Sequence, residues 1–512
     1  MILIINFGGQ YCHLIARRVR DLGVYSEILP YNTSLEKIKK INPSGIIFSG
    51  GPSSVYDKKA PLIDKRILNL NIPILGICYG LQLIGKLTNS KVLNGKLKEF
   101  GKKILYIKKQ STLLKNLSKK EQIWMSHGDL INSMSSDFNI LASTDSCKIA
   151  AFENNNKKLY GVQFHPEVIH TLNGIKIFEN FVFDICNAKK NWGIKDLPNK
   201  LIKEIKKEIG NNSVIMGVSG GVDSAVAATL LNKAINERLH CVFINHGLLR
   251  KNEEKEVINL FENKLKFKHF HHVDASKLFL EKLNKISDPE EKRKIIGHTF
   301  IQVFEDKVFE LNKKYKNIKF LGQGTIYPDR IESAQPSKIA SKIKSHHNLT
   351  LPEKMKLKII EPLKELYKDE VRKLGKELKI PNELLNRHPF PGPGLAIRIL
   401  GEITNEKLNI LRESDYIFID ELKKSKQYDK TWQALAALFP VKSVGVMGDS
   451  RTYEYIISLR AVTSVDAMTA DWAKIPNELL EKISNRIINE VQGVNRVVYD
   501  ITQKPPSTIE YE

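Results

Sequence analysis

Predominantly apolar runs of strand length alternate with amphipathic stretches along the first 185 or so residues. Ile2 to Phe7, Gly45 to Phe48 and Ile72 to Ile77 are such runs, and helical patterns follow Gly9 and Cys78. Strands buried on both faces read as continuous apolar runs, so this alternation predicts a mainly parallel sheet covered by helices on both sides. The stretch Ala188-Lys-Lys-Asn-Trp-Gly-Ile-Lys-Asp-Leu-Pro-Asn199 breaks the pattern and reads as a linker. A second α/β unit opens with Val214 to Val218, followed by a glycine turn, a small-residue helix from Ala225 and a strand at Cys241 to Ile244. It ends near Arg387-His-Pro-Phe-Pro-Gly-Pro-Gly394, where closely spaced prolines exclude both helix and central strand. Beyond it, strand-like runs at Lys442–Met447, Tyr453–Ala461 and Asn495–Ile501, with an amphipathic helix at Asn477–Val491, predict a smaller α+β domain. The expected fold class is therefore α/β: two parallel-sheet domains at 1–192 and 193–387, and a small C-terminal α+β domain at 388–512.

A length of 512 residues agrees with three domains of about 150 residues each. The 80 Lys+Arg against 57 Asp+Glu leave a formal charge of +23, a basic excess that suits a nucleic-acid or membrane-surface partner. Yet the lysines are scattered through Asn- and Ile-rich stretches such as Lys200-Leu-Ile-Lys-Glu-Ile-Lys-Lys-Glu208, beside acidic neighbours. That placement reads as a compositional bias on solvated helix faces, so neither nucleic acid nor membrane is expected as a partner. No run approaches the roughly 18 apolar residues of a membrane helix, and the apolar start is too short for a signal-peptide core. Five widely spaced cysteines with no C-x-x-C pair point to a reduced, cytoplasmic setting and to no structural zinc.

Chemistry enters at Gly76-Ile-Cys-Tyr-Gly80, which follows an apolar strand and precedes a helical pattern. Flanking glycines permit a strained strand-to-helix turn that lifts the Cys78 side chain out, and a helix N-terminus beneath sulfur favours its reactive form. A nucleophile needs a base, and the base needs a carboxylate to fix its tautomer. Tyr160-Gly-Val-Gln-Phe-His165-Pro-Glu167 supplies both at a strand end, as His165 and Glu167. At another strand end, Ser49-Gly-Gly-Pro52 offers backbone N–H groups for an oxyanion, with Gly51 paired to Tyr79 after the nucleophile.

These segments resemble class I glutamine amidotransferase domains over residues 1 to 187. The resemblance implies that Cys78 attacks the side-chain amide of glutamine to form a thioester and that His165 serves the departing ammonia and the hydrolytic water. Gln82 and Trp124-Met-Ser-His-Gly-Asp129 look like substrate-pocket segments of such domains.

A second site lies at Ser219-Gly220-Gly221-Val222-Asp223-Ser224, between an apolar strand and a helix entered at Ala225. Glycines let backbone N–H groups converge on phosphate while the helix N-terminus adds its dipole. No G-x-x-x-x-G-K-[ST] is present, which excludes a Walker-type loop. The segment resembles the PP-loop of N-type ATP pyrophosphatases, which adenylate an acceptor oxygen and release pyrophosphate. An ammonia source fused to an adenylating unit implies an amidation.

Further segments extend the resemblance to the whole chain: Asp288-Pro-Glu-Glu-Lys-Arg-Lys-Ile-Ile-Gly297, Gly322-Gln-Gly-Thr-Ile-Tyr-Pro-Asp329, Ile343-Lys-Ser-His-His-Asn348, Ser443-Val-Gly-Val-Met-Gly-Asp449 and Lys504-Pro-Pro-Ser-Thr-Ile-Glu510. Together they resemble glutamine-hydrolysing GMP synthetases. That likeness implies xanthosine monophosphate (XMP), ATP and glutamine as substrates. It puts Arg293, Lys504, Ile509 and Glu510 at the XMP site, Asp329 and Glu332 on a loop tied to adenylation, and Lys344 on a lid. It also implies Mg²⁺ arriving with ATP, no prosthetic group, and a homodimer formed by the C-terminal domain. The pairs His271-His272 and His346-His347 lack further ligands at metal-site spacing. The chain departs from the family pattern at Asn6 and Asn245, where Asp is usual, at Gly9, where Ser is usual, and at Tyr511, where Trp is usual. A tRNA-modifying PP-loop protein would need exposed aromatics among its basic residues and would leave the amidotransferase half idle. A non-catalytic binder would have no use for an intact Cys78, His165 and Glu167.

Overall fold

Residues 1–333, 357–464 and 469–512 are described by the computed structural model, and they group into two units, Met1–Gly193 and Ile194–Glu512. In the first unit a nine-stranded sheet carries the strands in the order Ser26–Pro30, Ile2–Asn6, Gly45–Phe48, Ile74–Ile77, Leu159–Val162, Ala151–Asn154, Asn139–Ser143, Lys91–Ile107, Lys120–Ser133. The first five run parallel and are almost wholly buried, as their apolar runs predict. From Leu159–Val162 outward the pairing is antiparallel, so the sheet is only half of the mainly parallel arrangement expected. The reason is visible in Lys120–Ser133, whose residues alternate between buried and half-exposed. That period of two marks an antiparallel strand with one wetter face, and Glu121, His127 and Asp129 on its buried face disguise it in the sequence.

The expected linker is shorter than the sequence pattern implied, because a helix, Leu197–Ile209, begins inside it with Pro198 in its first turn. Proline there loses no intrahelical bond and starts the helix rather than breaking it.

The second unit holds a five-stranded parallel sheet in the order Phe270–Asp274, Leu239–Asn245, Ser213–Gly217, Ile318–Gly322, Lys358–Ile360. Ser213–Gly217 comes first in the chain and sits in the middle, with later strands added to one side and then the other. Strand order therefore reverses there, and the loop after Ser213–Gly217 opens at the switch point where α/β sheets bind ligands. A third sheet is built on a long hairpin, Gln433–Met447 with Ser450–Thr463. Its turn has positive φ at Gly448 (54°) and Asp449 (63°), the backbone of a tight two-residue hairpin. Val494–Tyr499 joins it in parallel, and helix Asn477–Glu490 packs nearby. One apolar core runs from Ile215 and Val242 through Leu395 and Leu411 to Ile457 and Ile487. No described helix is long and apolar enough to cross a membrane.

Candidate active sites

Cys78 stands between strand Ile74–Ile77 and helix Tyr79–Leu87, with φ 53° and ψ −107°, a backbone conformation that strains any residue with a side chain. The glycines around it are required by close approach. A Cβ on Gly76 would lie 2.5 Å from the Gly80 carbonyl group, and one on Gly80 would lie 2.4 Å from the Phe48 carbonyl oxygen. The turn holds because the Cys78 N–H donates to the Val162 carbonyl at 2.9 Å. It leaves the sulfur 3.6 Å from the Ser126 carbonyl at the start of a helix whose first N–H groups have no intrahelical partner.

His165 and Glu167 follow the parallel strand next to the one that ends at Cys78, and their side chains meet at 2.7 Å through Nδ1 and Oε1, both buried. Burial disfavours a charged ring, but the Glu167 carboxylate and the Cys78 sulfur outweigh it and push His165 up to about 10. His165 is thus held as an imidazolium between a carboxylate and a nucleophile. Its backbone is fixed as well: its N–H donates to the Trp124 carbonyl at 3.0 Å, and its carbonyl accepts the Thr171 hydroxyl at 2.6 Å. The Ser49–Gly51 turn closes the site, since a Cβ on Gly50 would sit 3.1 Å from the His165 ring and 3.8 Å from the Cys78 Cβ. Gly51 lies against Tyr79, whose hydroxyl donates to the Pro61 carbonyl at 2.8 Å. Gln82 is buried one turn into the helix, its amide donating to the Asp129 carbonyl at 2.7 Å and facing Gln163 at 3.3 Å. The structure therefore brings Cys78, His165, Glu167, Gly51 and Tyr79 together and turns the Gln82 amide toward the strand beside them.

In the second unit the helix starts earlier than Ala225: it spans Val222–Ile235 with Gly221 as its N-cap, so Val222, Asp223 and Ser224 form its first turn. Gly220 has φ +74°, and a Cβ there would meet Val257 at 2.4 Å. The Ser219 hydroxyl accepts the Gly221 N–H at 3.3 Å, and the Ser224 hydroxyl donates to the Gly221 carbonyl at 3.0 Å. Three residues to which the sequence assigned no role at this loop meet it. Lys368 pairs with Asp223 at 3.1 Å, Arg387 donates to the Gly220 carbonyl at 3.4 Å, and Gly324 packs so closely that its Cβ would touch the Asp223–Ser224 backbone at 3.3 Å. Asp329 and Glu332, expected on a loop, lie in helix Tyr327–Ser333. Pro328 suits its first turn, and Asp329 accepts the Ile326 N–H at 3.2 Å, as an acidic residue does at a helix start. Lys344 and His346-His347 lie outside the described residues.

Residues 3–185 match the family model for class I glutamine amidotransferases, 194–295 that for NAD synthase and 420–511 that for the GMP synthase C-terminal domain. A GMP synthase (glutamine-hydrolysing) of Carboxydothermus hydrogenoformans is 56% identical over 512 residues, covering 100% of this chain and 99% of its own. That of Aquifex aeolicus is 56% identical with the same coverage, and that of Thermosipho melanesiensis is 55% identical. The chain belongs to the glutamine-hydrolysing GMP synthase family.

Two departures from the usual pattern of GMP synthases are conservative in geometry. Asn6 accepts the Gly8 N–H at 2.8 Å and Asn245 accepts the Gly247 N–H at 2.9 Å, turn bonds that an Asp carboxylate makes equally well.

The GMP synthase C-terminal segment is an irregular strip clamped by buried cations. Arg460, 1% exposed, donates to the carbonyls of Thr502, Thr508 and Ile509, to the Ser507 hydroxyl and to Asp500. Arg398 holds both oxygens of Glu510, and Lys292 holds the Glu512 side chain. Arg293 donates to the Glu512 backbone oxygen, so it does meet the strip that carries Lys504, Ile509 and Glu510. Ile509 itself packs with Val462 and Ala470, and Lys504 pairs backbone to backbone with Ala470. Tyr511 bonds Ser458 at 2.8 Å and Asp500 at 3.0 Å through its hydroxyl, a use of the ring that Trp could not copy with a hydroxyl.

Proposed function

We propose that this chain makes GMP from XMP, with ATP and glutamine consumed and AMP, pyrophosphate and glutamate released. The observation that carries the reading is the Cys78–His165–Glu167 constellation in a chain that also holds a phosphate loop at the switch point of a parallel sheet. Cys78 attacks the side-chain carbonyl carbon of glutamine, and the N–H groups of Gly51 and Tyr79 receive the oxyanion. The imidazolium of His165 gives its proton to the departing ammonia, then takes one from the water that hydrolyses the thioester to glutamate. Glu167 keeps the ring oriented and stabilises its charge. In the second unit ATP lies on the Ser219–Ala225 loop, O2 of XMP attacks the α-phosphate, and ammonia displaces AMP from C2.

Asp223 fits a Mg²⁺ ion accompanying ATP, because its Oδ1 is buried without a hydrogen-bond partner among the described residues. That ion would neutralise the phosphates; Lys368, Ser219 and Ser224 supply the protein's own charge and hydroxyls beside them. Arg293, Lys504, Ile509 and Glu510 form the XMP end of the second unit, with Asp329, Glu332 and Lys344 serving adenylation. We assign 1–192 to glutamine hydrolysis, 193–387 to ATP pyrophosphatase chemistry and 388–512 to dimer formation and the nucleotide site, in a cytoplasmic homodimer. The dimer reading is supported by the apolar residues exposed along the hairpin, Val441, Val444, Val446 and Tyr453.

A coupled assay tests the division of labour. Loss of XMP absorbance is followed with glutamine and then with ammonium as nitrogen source. Cys78→Ala should abolish the first rate and spare the second; loss of both, or of neither, rejects the assignment.

A further inference from the structure

Strand Lys120–Ser133 touches the first site at three points. The Trp124 carbonyl accepts the backbone N–H of His165 at 3.0 Å, the Ser126 carbonyl lies 3.6 Å from the Cys78 sulfur, and the Asp129 carbonyl accepts the Gln82 amide at 2.7 Å. Base, nucleophile and the helix headed by the nucleophile thus take their register from one strand. His127 sits among these contacts, on the buried face between Met125 and Asp129.

Both sides of the His127 ring are occupied. Nε2 lies 2.9 Å from a Glu99 oxygen, and Nδ1 lies 2.9 Å from the same Asp129 carbonyl that accepts Gln82. A carbonyl only accepts. Burial pushes the Glu99 carboxyl up, but hydrogen bonds from His127, Ser146 and Thr144 outweigh it and hold it down at about 2, so Glu99 accepts too. Each ring nitrogen therefore faces an acceptor, one across the strand pair and one along the strand.

Cys147 completes a group with Glu99 and His127 whose ligand atoms lie within 4.8 Å of one another. These are the residue types of the first site, yet the arrangement differs where it matters. His165 spends one nitrogen on Glu167 and keeps the other for Cys78, whereas His127 spends both on acceptors. Burial also pushes the Cys147 thiol up to about 12. The second group is a brace and not a second nucleophile.

We infer that His127, gripped by Glu99, is a positioning residue for glutamine hydrolysis: it fixes the Asp129 and Ser126 carbonyls and, through them, the placement of Cys78 against His165. The inference rests on Cys78 being the glutaminase nucleophile.

The test measures steady-state rates of the full chain with glutamine and with ammonium. His127→Asn keeps a donor toward Asp129, while His127→Gln keeps one toward Glu99 only. His127→Gln should lower the glutamine-driven kcat by about a hundredfold, the effect of a misplacement near 1 Å, with glutamine KM and the ammonium-driven rate little changed. His127→Asn should recover most of that loss. Equal loss from both nitrogen sources, an effect confined to KM, or an unchanged glutamine rate in His127→Gln overturns the inference. Cys78→Ala, run alongside, separates the two levels: a surviving glutamine rate there removes the nucleophile assignment itself.

Discussion

Arg398, fully buried, grips Glu510 with two hydrogen bonds of 3.0 and 2.9 Å. Gln433 donates to the same carboxylate at 2.6 Å, while Asp415 stands 3.6 Å from the guanidinium. Breaking a buried pair costs about 3–5 kcal/mol when the remaining charge is left uncompensated, and Asp415 beside Arg398 brings the cost here below that. Glu510→Ala should therefore lower the denaturant midpoint of the second unit and raise the KM for XMP, with the glutamine-hydrolysing unit unfolding as before. Unfolding followed separately in each unit checks this, and a midpoint for the second unit equal to wild type would sink it.

At the phosphate loop, Lys368 faces Asp223 across 3.1 Å. Asp223→Ala should stop AMP release with either nitrogen source. Lys368→Met removes a cation from the phosphates without altering the loop backbone and should raise the KM for ATP about tenfold, the worth of one charge-assisted hydrogen bond. Pyrophosphate release at graded ATP reports both. Synthesis surviving in Asp223→Ala would take that residue out of the ATP site.

Acid and alkali should strike different units. Burial pushes His246 and His388 in the second unit down to about 4, so the folded state refuses protons that the unfolded chain accepts below about 6.5. Their stability is present in full above that value and is lost as pH falls toward 4, by up to ~3 kcal/mol for each. His246 also accepts the Leu248 N–H at 3.1 Å through Nδ1, a bond that protonation breaks. His165 runs the other way: raised to about 10, it stabilises the first unit below the unfolded value, and that contribution fades as pH rises through 10. Melting curves across the pH range would show the second unit failing first in acid; equal acid sensitivity of both units would refute the account.

Legibility in the sequence followed backbone demands. The glycines flanking Cys78 and preceding Val222 sit in strand-to-helix turns whose pattern shows in the local sequence, so both sites are legible even though Gly80 and Gly220 are also required by distant neighbours, Phe48 and Val257. The groups that hold those sites were not legible, because they depend on register and helix rotation. Glu99 and His127 are 28 residues apart and meet only because their strands pair there. Lys292 and Arg293 are neighbours in a basic run, yet one is fully buried against Ala396, Ile399 and Glu512 while the other is half-exposed. Arg398 and Arg460 would each pass for surface charges until the terminal strip is laid over them.

The exposed hairpin makes a last prediction. Val446 is 75% exposed and Tyr453 57%, with Val444 also exposed. Val444 and Tyr453 lie directly opposite one another across the strand pair, so the patch is a continuous face rather than scattered residues. A face of this kind is stable in water when it is covered, and a second copy of the same hairpin offers the matching surface. Charge placed there would have to be desolvated in the pair while costing the single chain almost nothing. Val444→Glu combined with Val446→Glu should accordingly convert a dimer to a monomer with an unchanged glutaminase rate, read by light scattering at micromolar protein. A dimeric mass in that double variant, or a monomeric one in the unaltered chain, would place the subunit contact elsewhere or remove it.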